Sequence, residues 1–413
     1  MIRASLAMSS IGSTFDPVQP AAIAAGARRV GRNDRSDGPP FAGLIDAVLV
    51  GTNQSYGFAG AIDQSTAQAV STWMARDLGA DLLAGLSGGP QTDEAERLEA
   101  AMPTLLARAR DAIAAASASA DAERRMRVQL GGEEIVARLP SVLTALRCRA
   151  VISKARDFGR ATNAMADEAA LAGALQSMPL QDQTVAALLM QAAMGEVQQP
   201  ARIMSALVRL VGSGGEGAIG RAGYAPLVEA LLAHAQNQLG AMEGQGPFRD
   251  IDKACAALER FHRLSRAVTG YVEFAPLGRW TGIVSGLTRQ ASERVAQHLR
   301  DMVPTLSRAL RADGASDEHE SGLEAFNAMY MLATARDCRD SLALNTLIDP
   351  LWQQAGQVIE HHSERQREAM RTQEPTAAKL ARYDRAVRLV ELRFGPDHAE
   401  ILRRAREAAT RRL

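Results

Sequence analysis

Hydrophobic residues recur every three or four positions through most of this chain, which is the spacing of one buried face on an α-helix. The clearest case lies between residues 250 and 310, where Asp252 stands at the expected N-cap of a first helix. The apolar stripe of that helix consists of Ala254, Leu258, Phe261, Leu264 and Val268. A second stripe follows with Leu277, Trp280, Val284, Leu287, Ala291, Val295 and Leu299. This pattern predicts two consecutive amphipathic helices.

The two predicted helices are separated by an aromatic elbow. The first helix should end at Thr269-Gly270, and the elbow contains Tyr271 and Phe274. We expect Pro276 to open the second helix, because its fixed φ and missing N–H suit a first helical turn. The elbow is therefore predicted to be a short connection with exposed aromatic side chains.

A row of glycines with a spacing of four residues lies within the second stripe: Gly278, Gly282 and Gly286. Each glycine costs about 0.5–1 kcal/mol relative to alanine inside a helix, so the row predicts close approach by a neighbouring helix. A membrane dimer is the alternative for such spacing. Arg279 and Glu293 disfavour it, and no uninterrupted apolar window of about 18 residues occurs in the chain.

Prolines near predicted helix starts suggest a loosely repeated helical hairpin. They occur at Pro179-Leu180, Pro226-Leu227, Pro276-Leu277 and Pro350-Leu351. Together with the sustained helical periodicity, they predict an all-α fold. The fold is expected to be a multi-helix bundle or an irregular α-solenoid of HEAT, armadillo or tetratricopeptide-like hairpins.

The chain is predicted to have five parts. Residues 1–40 lack helical periodicity and carry several Pro, Gly and Arg residues, which indicates a disordered arm. The remaining parts are an N-terminal helical region (41–130), a central region (131–250), C-terminal hairpins (251–371) and a basic helical pair (372–413).

Two stretches suggest a link to bacterial type III secretion. Met1–Thr14 is Ser-rich, free of acidic residues and similar to the N-termini of type III secretion substrates. A transit peptide is the alternative for this segment. Residues 150–210, which contain the run Lys154–Gly159, resemble the all-helical gatekeeper proteins of these systems. The resemblance implies a secreted effector or a gatekeeper.

The C-terminal stretch contains the run Phe394–His398, with the sequence Phe-Gly-Pro-Asp-His. Asp397 is expected to be the N-cap of the last helix, with Glu400 completing a capping box. The junction resembles that of kinesin-light-chain-type tetratricopeptide repeats, although Ala399 stands where the family has its next proline. The resemblance implies helical-repeat character in this stretch.

Composition narrows the functional classes. Hydrophobic residues make up 46% of the chain and aromatic residues 4%, which favours helices packed through small side chains over a β-sandwich. Lys plus Arg and Asp plus Glu number 47 each, so no overall field attracts nucleic acid. The three cysteines, Cys148, Cys255 and Cys338, form no CxxC pair, which disfavours a disulfide framework or a cysteine zinc site.

Several short motifs could carry chemistry, but each lacks a necessary part. The run Gly212–Gly217 satisfies G-x-G-x-x-G, yet the residues before it keep helical spacing, whereas a dinucleotide fold requires a strand there. Glu259 and His262 form a single E-x-x-H, and di-iron bundles need two. His361-His362 are adjacent and point about 100° apart on a helix, so an exposed polar face is expected.

The sequence thus favours a non-enzymatic protein that binds other proteins. We expect no catalytic residue, cofactor or metal, no nucleic-acid partner and no transmembrane segment. The expected interaction surface consists of Tyr271, Phe274, Trp280 and Tyr330. The alternatives are a type III secretion-linked protein and an all-α enzyme whose pocket, lined by residues such as Glu259 and His262, is not visible in the sequence. The expected location is a bacterial cytoplasm, with export by a non-Sec route as the alternative.

Overall fold

The computed structural model describes residues 41–51, 54–83, 91–243, 250–311, 317–372 and 376–411. Most of them are helical, which confirms the predicted all-α fold. The predicted disordered arm and its secretion-like start, residues 1–40, lie outside the described residues. The division of the remaining chain into four helical regions stays a prediction.

The helices follow one another with short connections. In chain order they are α1 (Gln64–Trp73), α2 (Ala80–Leu83), α3 (Gln91–Ser117), α4 (Ala120–Leu130), α5 (Glu133–Arg147), α6 (Arg149–Thr162), α7 (Glu168–Gln176), α8 (Gln183–Glu196), α9 (Pro200–Val211), α10 (Glu216–Arg221), α11 (Ala225–Ala241), α12 (Ile251–Tyr271), α13 (Arg279–Leu299), α14 (Met302–Arg311), α15 (Asp317–Asp337), α16 (Asn345–Thr372), α17 (Ala377–Phe394) and α18 (Pro396–Thr410). A π-helical turn, Met74–Leu78, continues α1.

A pair of very short strands precedes α1. Strands β1 (Leu49–Val50) and β2 (Ile62–Asp63) run parallel, with Leu49 opposite Ile62 and Val50 opposite Asp63. The sequence gives little sign of them, because two residues are too few to show an alternating pattern. Because β1 and β2 pair, the two ends of the loop that connects them lie close together, next to α1 and α11.

The core centres on α8, α11 and α12. Helix α8 is buried on all sides from Ala186 to Met194, because α6 packs on one side of it and α11 on another. Helix α12 packs against α9, α11 and α15, and the stripe predicted for it is buried, including Leu258 and Phe261. Helices α14 to α18 pack mainly on one another. In the described part of the chain, no helix is both long enough and apolar enough to cross a bilayer.

The helix start predicted at Pro350 is wrong, because this proline lies inside a helix and does not begin one. Pro103, Pro140 and Pro350 lie inside α3, α5 and α16, and buried apolar residues lie on both sides of each proline. Pro226, in contrast, lies in the first turn of α11, as predicted. Pro179 lies in the connection before α8.

Two predicted N-caps are also wrong. Asp250, not Asp252, caps α12, and its carboxylate accepts a hydrogen bond from the Lys253 N–H at 3.0 Å. Helix α18 begins at Pro396 after Gly395, whose φ of 95° suits glycine. Asp397 therefore lies within the first turn and forms no capping box.

The glycine row does not mark a helix crossing. Gly278 is the N-cap of α13, and a Cβ at Gly282 would meet open space. At Gly286, the phenol hydroxyl of Tyr56, from the loop between β1 and β2, occupies the position that a Cβ would take. The close approaches thus come from the Glu216 carboxylate and the Ala275 carbonyl at Gly278 and from Tyr56 at Gly286, and not from the backbone of a packed helix.

Candidate interaction site: the elbow between α12 and α13

The elbow comprises residues 271–278, from Tyr271, the last residue of α12, to Gly278, the residue before α13. Helix α12 thus ends one residue later than the sequence predicts. Pro276 and Leu277 form a turn, and α13 begins at Arg279. The predictions that Pro276 opens the helix and that Leu277 packs in the core are both wrong. The reason is the backbone of Leu277, whose φ of 62° is left-handed and incompatible with a right-handed helix.

The glycine-rich loop after α9 holds the first half of the elbow. The Glu273 N–H donates to the Gly214 carbonyl at 2.8 Å, and the Glu216 N–H donates to the Glu273 carbonyl at 3.3 Å. A Cβ at Gly214 would overlap the carbonyl oxygen of Tyr271. The glycines of the G-x-G-x-x-G run therefore permit two backbone segments to pair, and a helix precedes them, as the sequence predicted.

The second half of the elbow is held around the carbonyl of Ala275. This oxygen accepts hydrogen bonds from the Gly278 N–H and from the Thr281 hydroxyl, both at 2.9 Å. The Ala275 N–H donates to the Glu216 carboxylate at 3.4 Å. Backbone and side-chain bonds on both sides of Leu277 therefore fix the course of the turn.

Leu277 combines two unfavourable features on this fixed turn. Its side chain is fully exposed, and it is the one non-glycine with a positive φ among the residues that the structure describes. The left-handed conformation costs roughly 1–2 kcal/mol for a residue with a Cβ. Backbone strain that surrounding bonds maintain is characteristic of functional sites, and here it presents a large apolar side chain to solvent.

The four residues predicted to form the interaction surface are not all at this site. Tyr271 and Phe274 belong to the elbow, the first exposed and the second half-buried. Trp280 is only 4% exposed and packs in the core at the start of α13. Tyr330 is partly exposed on α15, near Asp252 at the other end of α12. That end is about 28 Å from Tyr271, at 1.5 Å per residue.

An ion pair and a ring contact hold the start of α13, next to the elbow. Arg279 pairs with Glu229 of α11, and its guanidinium also donates to the Gly57 carbonyl at 3.0 Å. The same group lies 5.9 Å from the centroid of the Phe58 ring. These contacts connect the start of α13 to the loop between the strands.

The other groups with potential chemistry are engaged elsewhere. His262 Nδ1 lies 2.9 Å from the Ser341 hydroxyl, and partial burial lowers the pKa of the ring. Burial raises the pKa of Cys338 to about 12, so its thiol stays protonated at neutral pH. The rings of His361 and His362 meet edge to face on α16 at 5.4 Å. In the described ranges, no cluster of three His, Cys, Asp or Glu side chains is arranged to hold a metal ion.

Comparison with known proteins does not identify a family. No protein-family model, curated protein or solved structure matches the chain. The most distinctive physical feature of the site is the strained and exposed Leu277.

Proposed function

We propose that this all-helical protein is a non-enzymatic protein-binding module whose contact surface is the elbow between α12 and α13. Leu277 acts as the anchor that enters an apolar pocket of the partner. The observation that carries the proposal is the combination of full exposure and left-handed backbone at Leu277, on a turn held from both sides.

The energetics favour binding through this residue. Burying a leucine side chain completely contributes about 1.5–3 kcal/mol. Since the turn is already fixed by bonds to Gly214 and Glu216, little conformational entropy is lost on association. Tyr271 and Phe274 extend the apolar surface beside the anchor, and Glu273 supplies an exposed charge at its edge.

Site-specific photo-crosslinking tests the proposal. A photoreactive amino acid is placed at residue 277 of the full chain, in the cells that produce the protein, and at Val128 as a control. Val128 is a matched control because it is an exposed aliphatic residue on α4, far along the chain from the elbow. A discrete adduct from residue 277 and none from residue 128 supports the proposal, whether the partner is another protein or a second copy.

Substitution at the anchor separates binding from folding. Leu277→Asp should abolish the adduct formed from a probe at Tyr271, whereas Val128→Asp should leave it unchanged. Both variants should keep the helical circular dichroism of the parent, because both side chains are exposed. Equal adducts in both variants, or none from the elbow in the parent, would contradict the proposal.

The sequence of residues 1–40 supports a second proposal, that the protein is a secreted effector or a gatekeeper of a type III secretion system. Its basis is the Ser-rich, acid-free start, Met1–Thr14. A reporter fused behind residues 1–40 tests it: export that requires the type III apparatus supports the proposal, and retention of the reporter rejects it.

A further inference from the structure

An open groove with a basic rim lies along α14. It has a volume of about 610 Å³, and its lining is mostly apolar. The lining residues are Val303, Pro304, Ser307, Arg308 and Arg311. Both arginines are exposed, and neither guanidinium forms an ion pair with a residue that the structure describes. The groove thus suits an apolar side chain that has carboxylates beside it.

No ion pair in the described ranges cancels the charge of this rim. Pro304 and Arg308 also line a neighbouring cavity, which contains the carboxylates of Asp301 and Glu324. Neither carboxylate forms an ion pair with a described residue. Because these carboxylates line the neighbouring cavity and not the groove, the groove presents two cations to a partner.

The elbow between α12 and α13 has the complementary arrangement. Leu277 is fully exposed, the Glu216 carboxylate lies against the backbone next to it, and Glu273 is exposed four residues earlier. Neither carboxylate pairs with a cation in the part of the chain that the structure describes. The neighbouring cation, Arg279, is engaged by Glu229. The elbow therefore combines an apolar anchor with two unpaired negative charges.

The elbow and the groove lie at opposite ends of α13. The elbow directly precedes α13, and Gln297 and His298, near the end of α13, line the cavity that adjoins the groove. Helix α13 has 21 residues, so it is about 30 Å long at 1.5 Å per residue. The elbow cannot reach the groove of its own chain across this distance. A two-fold axis across α13 would instead bring each elbow to the groove of a second copy.

We propose that the partner of the elbow is a second copy of this chain, an assignment that depends on the elbow being a contact surface. Leu277 of each copy enters the apolar groove on α14 of the other. The carboxylates beside it, from Glu216 and Glu273, face the two arginines of the rim. Each copy contributes the same elbow and the same groove, so the contact is isologous and the assembly closes as a dimer.

Sedimentation equilibrium of the full chain at micromolar concentration tests the assignment. We expect twice the mass of one chain at low salt and weaker association at high salt, because exposed charges are screened. Leu277→Asp should sediment as a single chain, since it places a charge in the apolar groove. Val128→Asp, at an exposed position on α4, should remain dimeric. A monomeric parent, or a dimeric Leu277→Asp variant, would overturn the proposal.

Reversed charges identify the two surfaces. Glu273→Arg and Arg308→Glu should each weaken dimerisation by about tenfold or more, because each places like charges opposite one another. Both positions are exposed, so both variants should fold. An equimolar mixture of the two should dimerise again, since the reversed elbow of one variant meets the reversed groove of the other and the second contact keeps its original charges. A mixture that does not associate, or unchanged dimerisation of either variant alone, would overturn the proposal.

Photo-crosslinking from residue 277 separates failure of this assignment from failure of the elbow as a binding site. An adduct of twice the chain mass, with the probe linked to residues 303–311, supports the dimer. An adduct with a different protein overturns the assignment of a second copy and keeps the elbow as a contact surface. The absence of any adduct overturns both.

Discussion

Gly159 of α6 lies directly against the carbonyl oxygen of Ala193 in α8, in the position where a side chain at residue 159 would begin. Because a backbone atom cannot move aside as the end of a flexible side chain can, the contact fixes the distance between the two helices. Helix α6 is thus a close neighbour of the buried helix α8.

Gly159→Ala should therefore lower the free energy of unfolding, by about 1–3 kcal/mol, since the added methyl group overpacks the crossing. Urea denaturation measures the change. Gly282→Ala in α13 is the control: its Cβ would meet open space, so it should raise stability by about 0.5–1 kcal/mol through helix propensity. A stabilising effect of Gly159→Ala would show that the helices are not in such close contact.

Leu277→Gly should stabilise the protein while removing its proposed anchor. Glycine adopts a positive φ without a steric penalty, so relief of strain should add about 1 kcal/mol to the free energy of unfolding. Leu277→Ala shortens the side chain but keeps the Cβ, and it should leave stability nearly unchanged. If the two variants had equal stability, exposure and not the backbone would be the unfavourable feature.

Stability should fall in mild acid because of His234 on α11. Burial lowers the pKa of its ring to about 4, from an ordinary value of 6.5, while its Nε2 lies 2.7 Å from the Gln191 carbonyl. Above pH 6.5 the ring is neutral in the folded and the unfolded chain, so it does not reduce the free energy of unfolding. As the pH falls toward 4, the unfolded chain binds a proton that the folded chain excludes, so roughly 1–3 kcal/mol is lost.

Denaturation of His234→Gln across the same pH range checks this assignment. The variant should show a flatter dependence of stability on pH than the parent, even if its absolute stability is lower. His398→Gln, at an exposed position on α18, should keep the parental slope. A parental slope in His234→Gln would assign the acid sensitivity to other groups.

Arg393→Lys should destabilise the contact between α16 and α17. The Arg393 guanidinium carbon lies 4.4 Å from the centroid of the Trp352 ring, and its Nε donates to the Trp352 carbonyl at 3.0 Å. Lysine keeps the charge but cannot stack as a plane on the ring or form this hydrogen bond. We therefore expect the free energy of unfolding to fall by about 1–2 kcal/mol. Unfolding followed by tryptophan fluorescence measures it.

Arg404→Lys is the control for that change, since Arg404 is exposed and pairs within α18 with Glu400. Arg404→Lys should lower the free energy of unfolding by less than about 0.5 kcal/mol, as expected for a surface ion pair. Equal losses for the two variants would indicate that stacking on Trp352 contributes little.

Much of the helical fold was predictable because it depends on local spacing. The buried stripe of α12, including Leu258 and Leu264, follows from a period of three to four residues, and the helix before the glycine-rich loop was predicted in the same way. Boundaries were less predictable. Pro350 lies inside α16, although proline usually ends a helix, because packing on both sides outweighs its local cost.

The elbow could be predicted only in part. The sequence predicts that its aromatic residues, Tyr271 and Phe274, contribute to an interaction surface, and this role stays a prediction. The sequence also predicts that Leu277 lies in the core, because it fits the stripe of α13, and this is wrong. The left-handed φ of Leu277 instead places its side chain in solvent. That backbone conformation depends on hydrogen bonds between the elbow and the distant residues Gly214 and Glu216. No spacing within the elbow encodes those bonds.

The sequence by itself determined that this chain is helical and where most of its buried stripes lie, because helix periodicity depends on neighbours within one or two turns. The tertiary structure alone decided that Tyr56 covers Gly286 and that Leu277 faces solvent. Each of these depends on segments far apart in the chain, whose meeting is fixed by packing and not by local pattern.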